Sequence, residues 1–264
     1  MTAELTIALV QQASTTDPEH NRAALSALVP ADADLVVLPE AFARDFGPPG
    51  SSLGAAAEAL TGPFATEVER LAGGRETTIA VGMFESSHDP ERPWNTVIVR
   101  GAARVDYRKI HLYDSFGYRE SDVVSAGPIE PTVVMLGSFR IGVLTCYDLR
   151  FPEMARWLVA AGAEGLVIPA AWVSGERKVD HWRTLLRARA IENTAYVVGV
   201  GQPGPRYSGH SMVVDPLGDV LVEAGEAPDL VTAVITRERL DAARRDNPSL
   251  ANRRLNCDPA RDAG

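Results

Sequence analysis

The sequence is poor in three features that would each define a class of protein: cysteine, long apolar runs and an excess of basic residues. Its 264 residues include 2 cysteines, Cys146 and Cys257, too few for a disulfide framework and typical of a cytoplasmic protein. No apolar run approaches the ~20 residues of a membrane-spanning helix, so we expect no membrane partner. The N-terminus lacks a basic segment followed by a long apolar stretch, so we expect no secretion signal.

The balance of charge and the spacing of histidines exclude two further classes. The formal net charge is −9, which argues against nucleic acid as the main partner, because phosphate binding requires clustered Lys and Arg. Four of the histidines show no paired spacing of the kind that binds zinc, so we expect no metal site; they are His20, His88, His181 and His210.

Short apolar runs of strand length are mixed with segments of helical spacing. We predict strands over residues 5–11, 35–38, 77–85, 96–100, 103–109, 132–136, 139–145, 166–169, 195–201, 210–215, 219–223 and 230–235. Helices are predicted over 17–29, through an alanine-rich segment to about 71, and over 152–161, 179–192 and 236–245, with a loop over 112–131. This mixture favours a two-layer sheet core with helices outside, in one domain over 1–264 whose residues 246–264 form a tail.

Cys146 ends an apolar run over residues 141–145, and Pro152 opens a helix shortly after it. A nucleophile at such a strand-to-helix turn projects into solvent and lies near backbone N–H groups, notably that of Tyr147. Those donors can lower a thiol pKa and bind an oxyanion. The alternative is a buried structural cysteine, since free cysteines are among the most buried residues.

Two charged residues also follow apolar strands. Glu40 ends Leu35-Val-Val-Leu-Pro-Glu40, where a partly desolvated carboxylate suits a general base. Lys109 ends another strand, where its compact positive charge suits a thiolate or a developing oxyanion. Taken singly, each is more readily an ordinary solvated side chain.

The order Glu40, Lys109, Cys146, each at the end of an apolar strand, is more informative than any one of them. With Arg187-Ala-Arg-Ala-Ile-Glu-Asn193 and a segment over 207–219, these blocks resemble the Glu-Lys-Cys signature of the nitrilase superfamily, the carbon–nitrogen hydrolases. The resemblance extends from about residue 5 to residue 240.

This resemblance implies a four-layer αββα sandwich and hydrolysis of a small amide without metal or cofactor. Glu40 would be the general base, and Cys146 would form a thioester acyl-enzyme with release of ammonia or an amine. Lys109 and the Tyr147 N–H would hold the oxyanion, and Glu120 would orient Lys109. Similar proteins also imply a homodimer or larger homo-oligomer.

The strings Arg108-Lys-Ile-His-Leu-Tyr-Asp114 and Cys146-Tyr-Asp-Leu-Arg-Phe-Pro-Glu153 look most like the omega-amidase and deaminated-glutathione-amidase branch. In that branch the residues matching His111, Arg150 and Trp172 line the pocket of a carboxylate-bearing substrate, and Arg150 offers a bidentate fork for a carboxylate. Three alternatives stay open: an Arg150 salt bridge with Glu153 or a neighbouring acid, a structural His111 and a Trp172 that is simply core.

Two other kinds of function also stay open. One is hydrolysis of another carbon–nitrogen bond on the same fold, such as an aliphatic or aromatic amide, an N-carbamoyl group or a nitrile. The other is a metal-dependent, phosphodiesterase-like αββα protein, for which Gly209-His-Ser and Asp215 give a faint match, or a non-catalytic module.

Overall fold

The computed structural model describes residues 3–255, and two six-stranded mixed sheets dominate this part of the chain. The first sheet has the strand order β14-β1-β2-β3-β4-β5, and its members are β1 (Glu4–Gln11), β2 (Leu35–Val37), β3 (Thr78–Glu85), β4 (Trp94–Arg100), β5 (Val105–Arg108) and β14 (Asp229–Thr236). Strands β1, β2 and β3 run parallel. The other neighbours pair antiparallel: β14 with β1, β4 with β3 and β5 with β4.

The second sheet repeats this arrangement. Its order is β13-β12-β11-β10-β9-β8, with β8 (Val133–Leu136), β9 (Phe139–Val143), β10 (Gly165–Ala170), β11 (Tyr196–Gly201), β12 (Met212–Val214) and β13 (Val220–Glu223). Strands β9, β10 and β11 are parallel and the others antiparallel. The parallel strands of each sheet therefore end at one edge of that sheet.

Within residues 3–255, five α-helices flank the sheets: α1 (Pro18–Leu28), α2 (Pro63–Arg75), α3 (Pro152–Ala160), α4 (Lys178–Asn193) and α5 (Arg237–Asp246). Alternate side chains of β1 pack against different layers, because successive side chains of a strand point to opposite faces of the sheet. Ile7 and Leu9 join a buried cluster shared by both sheets, whereas Ala8 and Val10 pack with residues of α1 and α2. Helices α3 and α4 cover the outer face of the second sheet, on β9 and β11.

The layers confirm the predicted αββα sandwich, and a tight turn at Gly137-Ser138 joins β8 to β9 as an antiparallel hairpin. Two predictions were wrong. The helix predicted through the alanine-rich segment is shorter than expected. It begins at Pro63, a first helical position that suits proline's fixed φ, and the helical structure before it is a short 3-10 turn, Gly54–Ala56. The predicted loop over 112–131 contains a small hairpin of β6 (Asp114–Ser115) and β7 (Tyr118–Arg119), followed by a 3-10 turn at Glu120–Asp122.

Of the predicted tail over 246–264, the structure describes residues up to 255, and Cys257 lies outside the described residues. Over residues 3–255, none of the helices combines the length and the apolar character needed to cross a membrane.

Candidate active site

Glu40 lies just beyond β2, at the edge where the parallel strands end, and it is 1% exposed. Its Oε1 accepts hydrogen bonds from Lys109 Nζ at 2.9 Å and Asn95 Nδ2 at 2.8 Å. Its Oε2 accepts one from the backbone N–H of Ala171, just after β10, at 2.7 Å. Gly82 allows this packing, because a Cβ there would lie 2.6 Å from Glu40 Cα. The carboxylate is thus held by donors from both sheets.

Lys109 follows β5 and is buried between two carboxylates. Its Nζ donates to Glu120 Oε2 at 2.8 Å as well as to Glu40. Burial alone would lower the pKa of Lys109, but the negative charges of Glu120 and Glu40 outweigh it and raise that pKa well above its usual value. Lys109 is therefore a permanent cation in this site.

Glu120, the predicted second glutamate, reaches the site from the 3-10 turn that follows the β6–β7 hairpin. Besides Lys109, it accepts a hydrogen bond from the Tyr113 N–H at 2.7 Å, across the base of the hairpin. Burial and the nearby Glu40 raise the pKa of Glu120, while Lys109 opposes the shift. Glu120 therefore fixes Lys109 and ties the hairpin to the site.

Cys146 lies between β9 and α3, as the first residue of a 3-10 helix, Cys146–Arg150. Its φ of +46° is in the left-handed region, which costs on the order of 1–3 kcal/mol for a residue other than glycine. The turn is anchored on each side: Asp148 Oδ2 accepts from the Thr145 N–H at 2.9 Å, and the Thr145 hydroxyl donates to the Pro169 carbonyl at 2.6 Å. The surrounding hydrogen bonds hold Cys146 in this strained conformation.

The expectations that Cys146 projects into solvent and has a lowered pKa were wrong. The residue is 7% exposed, and burial followed by the negative charge of Glu40 raises the pKa of the thiol well above its usual value, with Lys109 opposing. A thiol with a pKa raised in this way is neutral near pH 7, and it becomes a nucleophile only when a neighbouring base removes its proton. Tyr147 follows Cys146 in the first turn of the 3-10 helix, where backbone N–H groups lack intrahelical acceptors.

His111 is held by the buried carboxylate of Asp148. Its Nδ1 lies 2.8 Å from Asp148 Oδ1, and its ring stacks on Phe151 at a centroid distance of 3.8 Å. Tyr107 donates its hydroxyl proton to Asp148 Oδ2 at 2.6 Å. These contacts hold His111 beside the 3-10 helix of Cys146, and its role in substrate binding stays a prediction.

Arg150 and Trp172 lie together. The guanidinium carbon of Arg150 is 4.7 Å from the centroid of the Trp172 ring, and Trp172 is 4% exposed. Arg150 Nε and Nη2 are buried and have no hydrogen-bond partner among the described residues. No ion pair joins Arg150 to Glu153 in this part of the chain. The salt-bridge alternative is thus wrong, and two guanidinium nitrogens of Arg150 have no acceptor among the described residues.

Two residues near the site were missed from the sequence. Asn95, the second residue of β4, donates from Nδ2 to Glu40 at 2.8 Å and to Glu120 at 3.1 Å, so one amide links both carboxylates. Lys178, the first residue of α4, lies 4.3 Å from the centroid of the Phe116 ring. From the sequence alone, a lysine at the start of a helix is expected to be solvated. The fold instead places Lys178 beside Phe116.

The residues that suggested a metal-dependent alternative have other partners. Asp215 pairs with Arg239, and His210 Nδ1 lies 3.1 Å from Glu223 Oε1. Over residues 3–255, His, Cys, Asp and Glu side chains form no group of three or more suited to a metal ion.

With the site described, comparison with known proteins shows that the chain belongs to the carbon–nitrogen hydrolase family, whose pattern it matches over residues 6–245. It is 40% identical over 227 residues to a deaminated glutathione amidase of Escherichia coli, covering 85% of this chain and 86% of that protein. A 2-oxoglutaramate amidase of Paenarthrobacter nicotinovorans is 36% identical over 236 residues, covering 84% and 79% respectively.

A solved structure gives the same result for the fold. The crystal structure of a carbon–nitrogen hydrolase superfamily protein from Xanthomonas campestris, with an arsenic adduct in its active site, superposes with a TM-score of 0.87. The two sequences are 30% identical, and the match covers 97% of this chain and 99% of that one. The protein is therefore an enzyme that hydrolyses carbon–nitrogen bonds of amides.

Proposed function

We propose that this enzyme hydrolyses a small omega-amide whose acyl chain carries a carboxylate, with Cys146 as the nucleophile. The observation that carries the substrate class is Arg150, whose Nε and Nη2 are buried without a partner among the described residues. Leaving charged donors unpaired is costly, and a bidentate carboxylate would satisfy both. The names of two relatives, a deaminated glutathione amidase and a 2-oxoglutaramate amidase, support the same class.

The first half of the reaction transfers the acyl group to the enzyme. Glu40 takes the proton of the neutral Cys146 thiol as the sulfur attacks the carbonyl carbon, and the carbonyl oxygen becomes an oxyanion. Lys109 Nζ and the Tyr147 N–H stabilise that oxyanion. Glu40 then gives its proton to the nitrogen, the C–N bond breaks, and ammonia or an amine leaves a thioester on Cys146.

The second half releases the acid. Glu40 removes a proton from a water molecule, which attacks the thioester carbon, and the oxyanion forms again beside Lys109. The C–S bond breaks, and the proton on Glu40 returns to the sulfur. The raised pKa of Cys146 supports this scheme, because a buried neutral thiol requires an adjacent base, and Glu40 remains anchored by Lys109, Asn95 and Ala171 throughout.

The test uses monoamides of short dicarboxylic acids, each paired with the amide in which a methyl group replaces the distant carboxylate. We expect ammonia release and a transient acyl adduct on Cys146 by mass spectrometry, with kcat/KM at least about tenfold higher for the carboxylated member. Cys146→Ala should show neither adduct nor turnover. Equal rates within each pair, or turnover of nitriles alone, would contradict the proposal.

Assembly and location are also proposals. We place the enzyme in the cytoplasm, where a reducing environment keeps Cys146 a free thiol. We expect association of two or more copies, which sedimentation velocity of the purified chain measures directly; a monomer at micromolar concentration would contradict it.

A further inference from the structure

Lys178 lies at the outer side of the candidate site, surrounded by aromatic rings. Its Nζ is 3.3 Å from the Tyr113 hydroxyl, 4.3 Å from the Phe116 ring centroid and 5.9 Å from the Trp172 ring centroid. Phe116 is 75% exposed, whereas Trp172 is 4% exposed, so the lysine spans the distance from solvent to the buried wall of the site. Aromatic faces attract cations, and they hold the ammonium group in this position.

Lys178 and Arg150 are two cations on one wall. Both lie near the ring of Trp172, and burial followed by the positive charge of Arg150 lowers the pKa of Lys178. In the described part of the chain, no acidic side chain forms an ion pair with either of them. Glu176 and Asp180 are both two residues from Lys178 in sequence, and Glu176 lies 3.7 Å from Arg177 instead. Two like charges held together without an acid leave the wall with an unbalanced positive charge.

The two cations differ in depth. Two nitrogens of Arg150 are fully inaccessible to solvent and lie in the same 3-10 helix as Cys146. Lys178 is half-buried beside the exposed Phe116. A single carboxylate satisfies the bidentate fork of Arg150, which leaves the lysine free for a second anionic group nearer the opening.

We propose that Lys178 is a specificity-determining residue that binds a second carboxylate, so that the preferred substrates are small amides carrying two carboxylates. Arg150 binds the carboxylate of the acyl chain, and Lys178 binds the other. The second carboxylate lies either on the acyl chain or on the amine that leaves. In either position it would contact the ammonium group of Lys178. This inference rests on the proposed function, because it assumes amide hydrolysis at Cys146.

The test compares kcat/KM for three amides: one with a single carboxylate on the acyl chain, one with two carboxylates on the acyl chain, and one with a carboxylate on each side of the amide bond. The wild-type enzyme should prefer one or both of the dicarboxylated amides to the first. In Lys178→Gln that ratio should fall about tenfold to a hundredfold, the effect of losing a hydrogen bond to a charged group. A ratio is used so that any loss of folded enzyme cancels.

Two further variants complete the design. Lys178→Arg keeps the positive charge and should keep the preference. Arg177→Gln removes the same charge from the adjacent, exposed position and should leave the ratio unchanged. The second and third amides identify which side carries the second carboxylate.

The inference is overturned if the wild-type enzyme shows no preference for either dicarboxylated amide, or if Lys178→Gln keeps the ratio. It is also overturned if Arg177→Gln lowers the ratio as much as Lys178→Gln does, because the effect would then be one of net charge. Failure of the proposed function differs from all of these, since no amide in the series would then acylate Cys146.

Discussion

The inner and outer parts of the site differ in how their charges are balanced. In the inner part, Lys109 lies between Glu40 and Glu120, and both carboxylates accept additional hydrogen bonds. In the outer part, Arg150 and Lys178 have no ion-pair partner among the described residues. The charged side chains of the inner part all have partners within the protein. Two nitrogens of Arg150 in the outer part have none among the described residues, and the proposed anionic substrate would supply that partner.

The strongest test of the inner part is Glu40→Gln, which keeps the shape of the side chain but removes the carboxylate that we propose as the base. Turnover should fall by ~10²–10⁴-fold, the usual contribution of a general base. The pKa of Cys146 should fall at the same time, because the negative charge of Glu40 is one of its raising causes.

Iodoacetamide labelling of Cys146 as a function of pH, resolved by peptide mass spectrometry, measures this second effect. The midpoint should move to lower pH in the variant although activity is lost. A midpoint that moves to higher pH would show that Glu40 does not oppose ionisation of the thiol. The peptide containing Cys257 provides the internal reference.

Replacement of Lys109 by alanine should have the next largest effect. It removes the oxyanion donor and leaves Glu40 and Glu120 buried without their cation, so the rate should fall by ~10²–10³-fold. The free energy of unfolding should fall by about 3–5 kcal/mol, the cost of breaking a buried ion pair. Urea denaturation and single-turnover kinetics measure the two losses, and near-wild-type activity in the folded variant would exclude the assigned role.

In the outer part, Arg150→Gln should act on specificity. The ratio of kcat/KM for a carboxylated amide to that of its methyl counterpart should fall about tenfold to a hundredfold. Raising the salt concentration should lower the same ratio in the wild-type enzyme, because mobile ions screen attraction at a partly open site. A ratio that changes with neither the substitution nor salt would show that the outer cations do not bind the substrate.

Asn95→Ala should have the smallest effect of the four substitutions. Glu40 and Glu120 each lose one hydrogen bond but keep Lys109, so stability should fall by about 1–3 kcal/mol and kcat by about tenfold or less. Arg70→Ala, which removes an exposed ion pair with Glu67, is a control for stability. If Asn95→Ala is as inactive as Glu40→Gln, the inner part depends on the amide more than its hydrogen bonds indicate.

The sequence was sufficient to predict the αββα layers and the strand ends at which Glu40, Lys109 and Cys146 lie. Apolar runs with strand spacing produce those layers, and a charged residue directly after such a run stands out. Asn95 did not, because a polar residue near the start of a strand has the same pattern whether it faces solvent or a buried carboxylate. The raised pKa of Cys146 depends on burial by residues distant in sequence. The residues around Cys146 in the sequence therefore do not predict it.

The hairpin and Lys178 show the same limit. Tyr113, Phe116 and Tyr118 mark the segment as aromatic, but the pairing of β6 with β7 depends on two short strands that propensity cannot predict. Lys178 is a lysine at the start of a helix, and only the packing of Tyr113, Phe116 and Trp172 around it distinguishes it from Arg177 next to it.

The proposed base and the proposed nucleophile belong to different sheets, since Glu40 follows β2 of the first and Cys146 follows β9 of the second. Neither sheet alone can form the site, and the hydrogen bond from Ala171 to Glu40 exists only after the sheets have docked. During refolding, catalytic competence should therefore return later than the far-ultraviolet circular dichroism signal. The rate at which turnover recovers should therefore measure the rate at which the two sheets dock.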